Sequence, residues 1–146
     1  GLIEPGETPL QAAVRETTEE LLVQPEQIEP IAPLDVLIKP TNATVFPFLA
    51  SLTGYDGSFS SDEVEEVFTV PFDFFLANEP RVYYNRVTVE PGDDQFPYAL
   101  LGVSSYPWAK GRYPVLFYEA QGKVIWGMTA RFVYNLVELY KAEDNT

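Results

Sequence analysis

The sequence predicts an α/β chain of the α+β kind, and three observations carry that prediction. A helix signature opens the chain at residues 8–23, and a second one closes it at about 129–141. Between them lie short apolar, β-branched and aromatic runs, at 34–39, 44–52, 81–89 and 114–120. These runs are separated by Pro, Gly and Asn clusters of the kind that end strands. At 146 residues with 46% hydrophobic content, the chain has the size and apolar content of one domain with a real core.

The first element is the most strongly marked. Thr8 can cap a helix, Pro9 suits the first helical position because its missing N–H is not needed there, and Gln11 completes a capping box. No glycine or further proline intervenes before Pro25, so a helix from 9 to about 23 is predicted. On it, Glu16, Glu19 and Glu20 are spaced i,i+3 and i,i+4 and project from one side. An acidic run on a helix is usually a solvated face. Carboxylates gathered this closely also suit a hard divalent cation such as Mg²⁺, Mn²⁺ or Ca²⁺.

Residues 24–33 read as a proline-punctuated connector. Residues 34–39 form a predicted strand, broken by Pro40, Thr41 and Asn42, and 44–52 form a second, in which Pro47 implies an edge or bulge. Gly54 to Gly57 is a turn, 60–66 an acidic stretch, 67–71 a short strand and 72–78 a short helix. Residues 81–89 are the next strand, followed by a turn at 91–94. Aromatics crowd 96–119 and are expected mainly as packing, with base stacking the other use. A strand at 114–120, a Gln121-Gly122 turn and a helix capped by Thr129 end the chain. Phe132, Val133, Leu136, Val137 and Tyr140 are its apolar stripe.

Composition excludes several chemistries. With no Cys, there is no disulfide framework or thiolate metal site. With no His, there is no Ser-His-Asp or Cys-His catalysis and no imidazole base. Carboxylates, Lys, Arg, Tyr and metal-bound water remain. The net charge of −13 argues against a broad basic surface for nucleic acid. No apolar run is long enough for a membrane span and no signal peptide is visible, so the cytoplasm is the default address. Asn42-Ala43-Thr44 fits a glycosylation sequon by letters only.

The opening stretch resembles the Nudix box, G-x5-E-x7-R-E-U-x-E-E-x-G-U with U aliphatic. Gly1, Glu7, Arg15, Glu16, Glu19, Glu20 and Val23 match it, whereas Thr17 stands where an aliphatic residue is usual and Leu22 where glycine is usual. The resemblance implies a Nudix-type α/β/α sandwich with a mixed sheet, the first and last helices on opposite sides, and one domain over residues 1–146. A Nudix box normally lies behind several strands, so the resemblance also implies an N-terminally incomplete fold. An exposed sheet edge would then favour self-association, a homodimer being the simplest form.

By the same resemblance the reaction is metal-dependent hydrolysis of a diphosphate linkage in a nucleoside diphosphate derivative, with Mg²⁺ or Mn²⁺ as cofactor. Glu16, Glu19 and Glu20 would be metal ligands, and Glu7 would either join them or pair with Arg15. Arg15 would orient carboxylates, and Glu19 and Glu20 belong to the catalytic set. Residues 63–71 look like a further segment common in the superfamily, and Glu63, ahead of Asp62, is the residue expected to hold metal or activate water. Like charges this close should raise at least one carboxyl pKa in the absence of metal. Residues 45–48, 63–71, 96–98 and 125–131 look most like the coenzyme A pyrophosphatase branch, whose additional upstream motif this chain does not contain. A non-catalytic ligand-binding or oligomerisation module and an inactive fragment of an active enzyme are the alternatives.

Overall fold

A computed structural model describes residues 1–92 and 95–144. The Asp93-Asp94 half of the turn predicted at 91–94 lies outside the described residues. Helix α1 spans Pro9–Leu21 and begins as its sequence dictates. The Gln11 N–H donates to Thr8 Oγ1 at 3.3 Å, and the Thr8 N–H donates to Gln11 Oε1 at 2.8 Å. Two of the N–H groups orphaned at the helix start are thereby satisfied. The helix stops two residues short of the predicted end because Leu22 turns left-handed, at φ 52° and ψ 38°. That is the conformation the usual glycine of the box would adopt without strain.

A 3-10 turn at Pro25–Gln27 leads into β1, Ile28–Pro33, which pairs antiparallel with β4, Phe48–Leu52. The segment 24–33 is therefore not a mere connector. Its prolines obscure the strand in the sequence, yet β1 and β4 make a two-stranded ribbon, so each strand needs N–H donors on one side only. A bulge between Pro30 and Ala32 absorbs the mismatch. The predicted strand at 34–39 shrinks to β2, Leu37–Ile38, paired with β3, Thr44–Val45. Pro47 splits the predicted 44–52 strand into β3 and β4, and its carbonyl accepts the Leu34 N–H at 2.9 Å.

Residues 67–71 form no strand, contrary to prediction, because no neighbouring strand pairs with them among the described residues. Val70 instead packs against the core, and Pro71 precedes α2, Phe72–Ala77. The sheet β5 (Arg81–Thr88), β6 (Lys110–Ala120) and β7 (Lys123–Trp126) follows in that spatial order. Gln121 and Gly122 join β6 to β7 at φ 53° and 74°, the paired positive values that a tight two-residue hairpin needs.

Helix α3, Gly127–Asp144, folds back over β6 and β7. Gly127, at φ 65°, makes the corner, so Thr129 lies inside the helix and does not cap it. Phe75, Leu116, Tyr118, Ala130 and Val137 form the buried core, with Val133 and Tyr134 packed against it. Of the predicted stripe, Val133 and Val137 enter the core, whereas Tyr140 is half-exposed and meets Phe72 edge to face, with ring centroids 5.6 Å apart.

The mixture of helices and strands is that of the expected class. The strand pairings differ from the expected mixed sheet: every described pair is antiparallel, in three small sheets. The antiparallel β6–β7 pair follows from its two-residue link, since a parallel pair would need a crossover of a dozen residues or more. Helix α1 lies beside the β2–β3 hairpin, where Pro9, Ala12 and Ala13 face Thr44, Val45 and Phe46 across a cavity of about 120 Å³.

Candidate functional site

Glu16 and Glu20 stand one helical turn apart on α1, on the side that carries Ala12. A turn at residues 60–64 is fastened to the end of that helix: the Ser60 N–H donates to the Glu20 carbonyl at 2.8 Å. That carbonyl is one of the four a helix end leaves without an internal partner. The turn closes on itself, with the N–H groups of Glu63 and Val64 donating to the Ser60 carbonyl at 3.2 and 2.9 Å. Glu63 is thereby carried to α1. One carboxylate oxygen from each of Glu16, Glu20 and Glu63 lies within 4.8 Å of the other two. Glu63 is exposed and the other two are partly buried.

Arg15 organises the opposite flank. Its Nε donates to Glu7 Oε1 at 2.9 Å and its Nη2 to Glu7 Oε2 at 3.2 Å, a bidentate fork. Nη1 donates to Glu16 Oε1 at 2.8 Å and to Glu19 Oε2 at 3.4 Å. Nη2 also reaches the Leu2 carbonyl at 3.0 Å. Glu7 is presented by a tight turn in which its N–H donates to the Glu4 carbonyl and its carboxylate accepts the Glu4 N–H, both at 3.0 Å. Gly6 sits at φ 85° within that turn. At Gly1, an added Cβ would overlap the Glu16 carboxylate, so any other residue would displace a member of the cluster.

Of the two possibilities for Glu7, the structure realises the pairing with Arg15. Glu19 also lies outside the cluster, with its side chain 55% exposed and turned toward Arg15. Glu19 stands on the same side of the helix as Glu16, and it is its 3.4 Å contact with Arg15 that takes its carboxylate away from the cluster. Asp62 is not part of the cluster either. Thr17 hides its hydroxyl by donating to the Ala13 carbonyl at 2.8 Å, which lets a polar residue stand where an aliphatic one is usual.

At Glu16 and Glu7 the shifts are downward. The Arg15 guanidinium beside Glu16 holds that carboxyl below the usual carboxylate range. The same fork, with the Glu4 N–H, holds Glu7 down. Arg15 itself is raised by its bonds to Glu7 and Glu16. At Glu16 the desolvation that would raise the carboxyl is thus outweighed by a cation 2.8 Å away. The donor set is all oxygen and anionic, which matches Mg²⁺ or Mn²⁺ better than a soft metal.

A second concavity was not legible in the sequence. A cleft of about 550 Å³ lies between the β2–β3 loop, the β5–β6 strands and the first turn of α3, and Lys39, Arg86 and Trp126 are among its lining residues. The aromatics at 96–108 instead pack on each other: Trp108 meets Phe96 and Tyr106, each at a centroid distance of 5.1 Å, and donates to Tyr98 Oη. Among the described residues no helix is long and apolar enough to cross a membrane.

Residues 1–88 match the family model described as the NUDIX domain. Over 83 residues, 56% of this chain, the sequence is 36% identical to the mouse protein named peroxisomal coenzyme A diphosphatase NUDT7. The chain spans about a third (34%) of that protein's length. The relative's name places it in the peroxisome, whereas the sequence read by itself made the cytoplasm the default for this chain.

Proposed function

Since this chain belongs to the NUDIX domain family, we propose that it is a diphosphatase that uses Mg²⁺ or Mn²⁺ to hydrolyse a diphosphate linkage in a nucleoside diphosphate derivative, coenzyme A or one of its derivatives. The observation that carries this reading is the convergence of Glu16, Glu20 and Glu63 on one point. The coenzyme A assignment rests on the name of the mouse relative. Residues 1–146 are read as one domain around this site.

In the reaction, water adds to one phosphorus, the P–O–P bridge breaks and two phosphate monoesters leave. A bound divalent cation supplies charge neutralisation at phosphate oxygens and lowers the pKa of water. The chain supplies the rest. Glu16 and Glu20 would hold the cation from the helix, with one carboxylate oxygen of Glu63 completing the set from the loop. Glu63, the exposed member, is placed to take the proton of an entering water. Arg15 is a positioning residue: it keeps Glu16 ionised and oriented, while Glu7 keeps Arg15 in place. Glu19 acts through its contact with Arg15.

The test pairs turnover with metal binding. The purified chain is incubated with Mn²⁺ and coenzyme A, ADP-ribose, NADH or dinucleoside polyphosphates, and products are separated chromatographically. Glu63→Gln should lower kcat by about 10²-fold, the low end for a lost proton acceptor. Glu20→Gln should weaken calorimetric Mn²⁺ binding by more than about tenfold, since even outer-shell changes cost that much. Turnover of none of these substrates, with no heat from millimolar metal, would leave a ligand-binding module as the correct reading.

A further inference from the structure

We propose that the cleft beside the β2–β3 loop binds a phosphorylated nucleoside, its planar base against Trp126 and its phosphate between Lys39 and Arg86. This deepens the diphosphatase reading and rests on it for the link to a substrate. Charge is the first argument. The chain has 22 Asp and Glu against 9 Lys and Arg, a net −13. Yet no acidic residue lines this cleft among the described residues, and two of the nine cations do. Arg15, Arg81, Lys123 and Lys141 form ion pairs; of the five cations that form none among the described residues, Lys39 and Arg86 line the cleft and Lys110, Arg112 and Arg131 do not. An uncompensated positive cleft in a strongly anionic protein concentrates anions there. Phosphate is an anion that both guanidinium and ammonium groups recognise.

The aromatic wall is the second argument. Trp126 is 60% exposed, although its ring is backed by Phe117, stacked at 5.6 Å with an interplanar angle of 12°. An indole held flat by a parallel ring and left open to solvent is a preformed surface for a planar heterocycle. Tyr113 lines the same cleft. A volume of about 550 Å³ falls within the range of small-molecule sites. The β2–β3 hairpin runs from this cleft to helix α1, the helix that carries Glu16 and Glu20. Its loop lends Lys39 and Thr41 to the cleft, and Val45 lines the cavity against α1. Thr41 and Val45 are four peptide steps apart, at most about 15 Å.

The experiment is calorimetry in EDTA, without divalent metal, using adenosine 3′,5′-bisphosphate and adenosine as probes. The bisphosphate should bind at least about tenfold more tightly than adenosine, the worth of one charge-assisted contact. Lys39→Gln and Arg86→Gln should each remove about that factor for the bisphosphate and leave adenosine unchanged. Trp126→Ala should weaken both probes equally, and Lys110→Gln, outside the cleft, should change neither. Hydrogen exchange on the unsubstituted protein gives a check that needs no variant: the bisphosphate should protect amides of the β2–β3 loop. Equal affinity for the two probes, or full bisphosphate affinity in both Gln variants, overturns the proposal. Bisphosphate binding without turnover of any diphosphate would sink the diphosphatase reading and leave this cleft standing. Turnover with the cleft variants unaffected would do the reverse.

Discussion

Leu22 tests the geometry at the end of the glutamate-bearing helix. It sits at φ 52° and ψ 38° and is 57% exposed. An L-residue in this left-handed region costs roughly 1–2 kcal/mol, which glycine avoids. Glycine gives back roughly 0.5–1 kcal/mol through its larger unfolded-state entropy. Truncating the partly covered leucine side chain also loses some burial, but that loss is common to Leu22→Gly and Leu22→Ala and cancels between them. The glycine variant should therefore be the more stable of the two by about 1 kcal/mol. In a chain of this size that is a melting difference of about 3–4 °C. At Ala13, inside α1, the order must invert, with Ala13→Gly costing about 1 kcal/mol. Urea titrations and thermal melts followed by circular dichroism read all three. If Leu22→Ala melts at or above Leu22→Gly, the left-handed cap is not populated in solution and the account of where α1 ends is wrong. Mn²⁺ affinity should be equal in the two variants, because Leu22 contributes no ligand.

Acid should loosen the loop that precedes α1. Arg15 depresses the carboxyls of Glu7 and Glu16 below their ordinary value of 4.5. A depressed folded-state pKa gives stability that is complete above the ordinary value and is lost as pH falls through the folded one. The urea midpoint should therefore fall below pH 4.5 in the native protein. It should fall less in Arg15→Gln, and parallel pH profiles for the two would contradict the fork. Tyr118 is 2% exposed, its hydroxyl has no hydrogen-bond partner among the described residues, and burial pushes its pKa up to about 12. Tyr118→Phe should be neutral or stabilising by up to about 1 kcal/mol, because an orphaned buried donor is removed. A loss of more than about 1 kcal/mol would mean that a bound water serves the hydroxyl.

Local signals in the sequence were enough where the structure is local. The capping box of Thr8 and Gln11, the same-side spacing of Glu16 and Glu20, and the Gln121-Gly122 hairpin all depend on residues within four positions of each other, so their chemistry can be read directly. The glycine position occupied by Leu22 was visible as a departure, though its physical meaning, a left-handed cap on a leucine, needed the backbone angles. Strand β1 was hidden because two prolines argue against a strand unless it is known that only one side must pair. The 67–71 run had strand-like residues and no partner. Residues distant in sequence meet only through the tertiary fold. The Ser60 bond to the end of α1 decides that Glu63, not Asp62 or Glu19, completes the carboxylate cluster. The Arg15 fork takes up both carboxylate oxygens of Glu7, a pairing eight residues apart that only the folded loop brings about. Lys39, Arg86 and Trp126 lie on three separate strands or loops, so the cleft they share exists only once the hairpin and the sheet are in place. The sequence by itself determined the family and the helix that bears its acidic motif. Which carboxylates converge, and where a charged cleft opens in an acidic protein, depended on long-range contacts that no local pattern encodes.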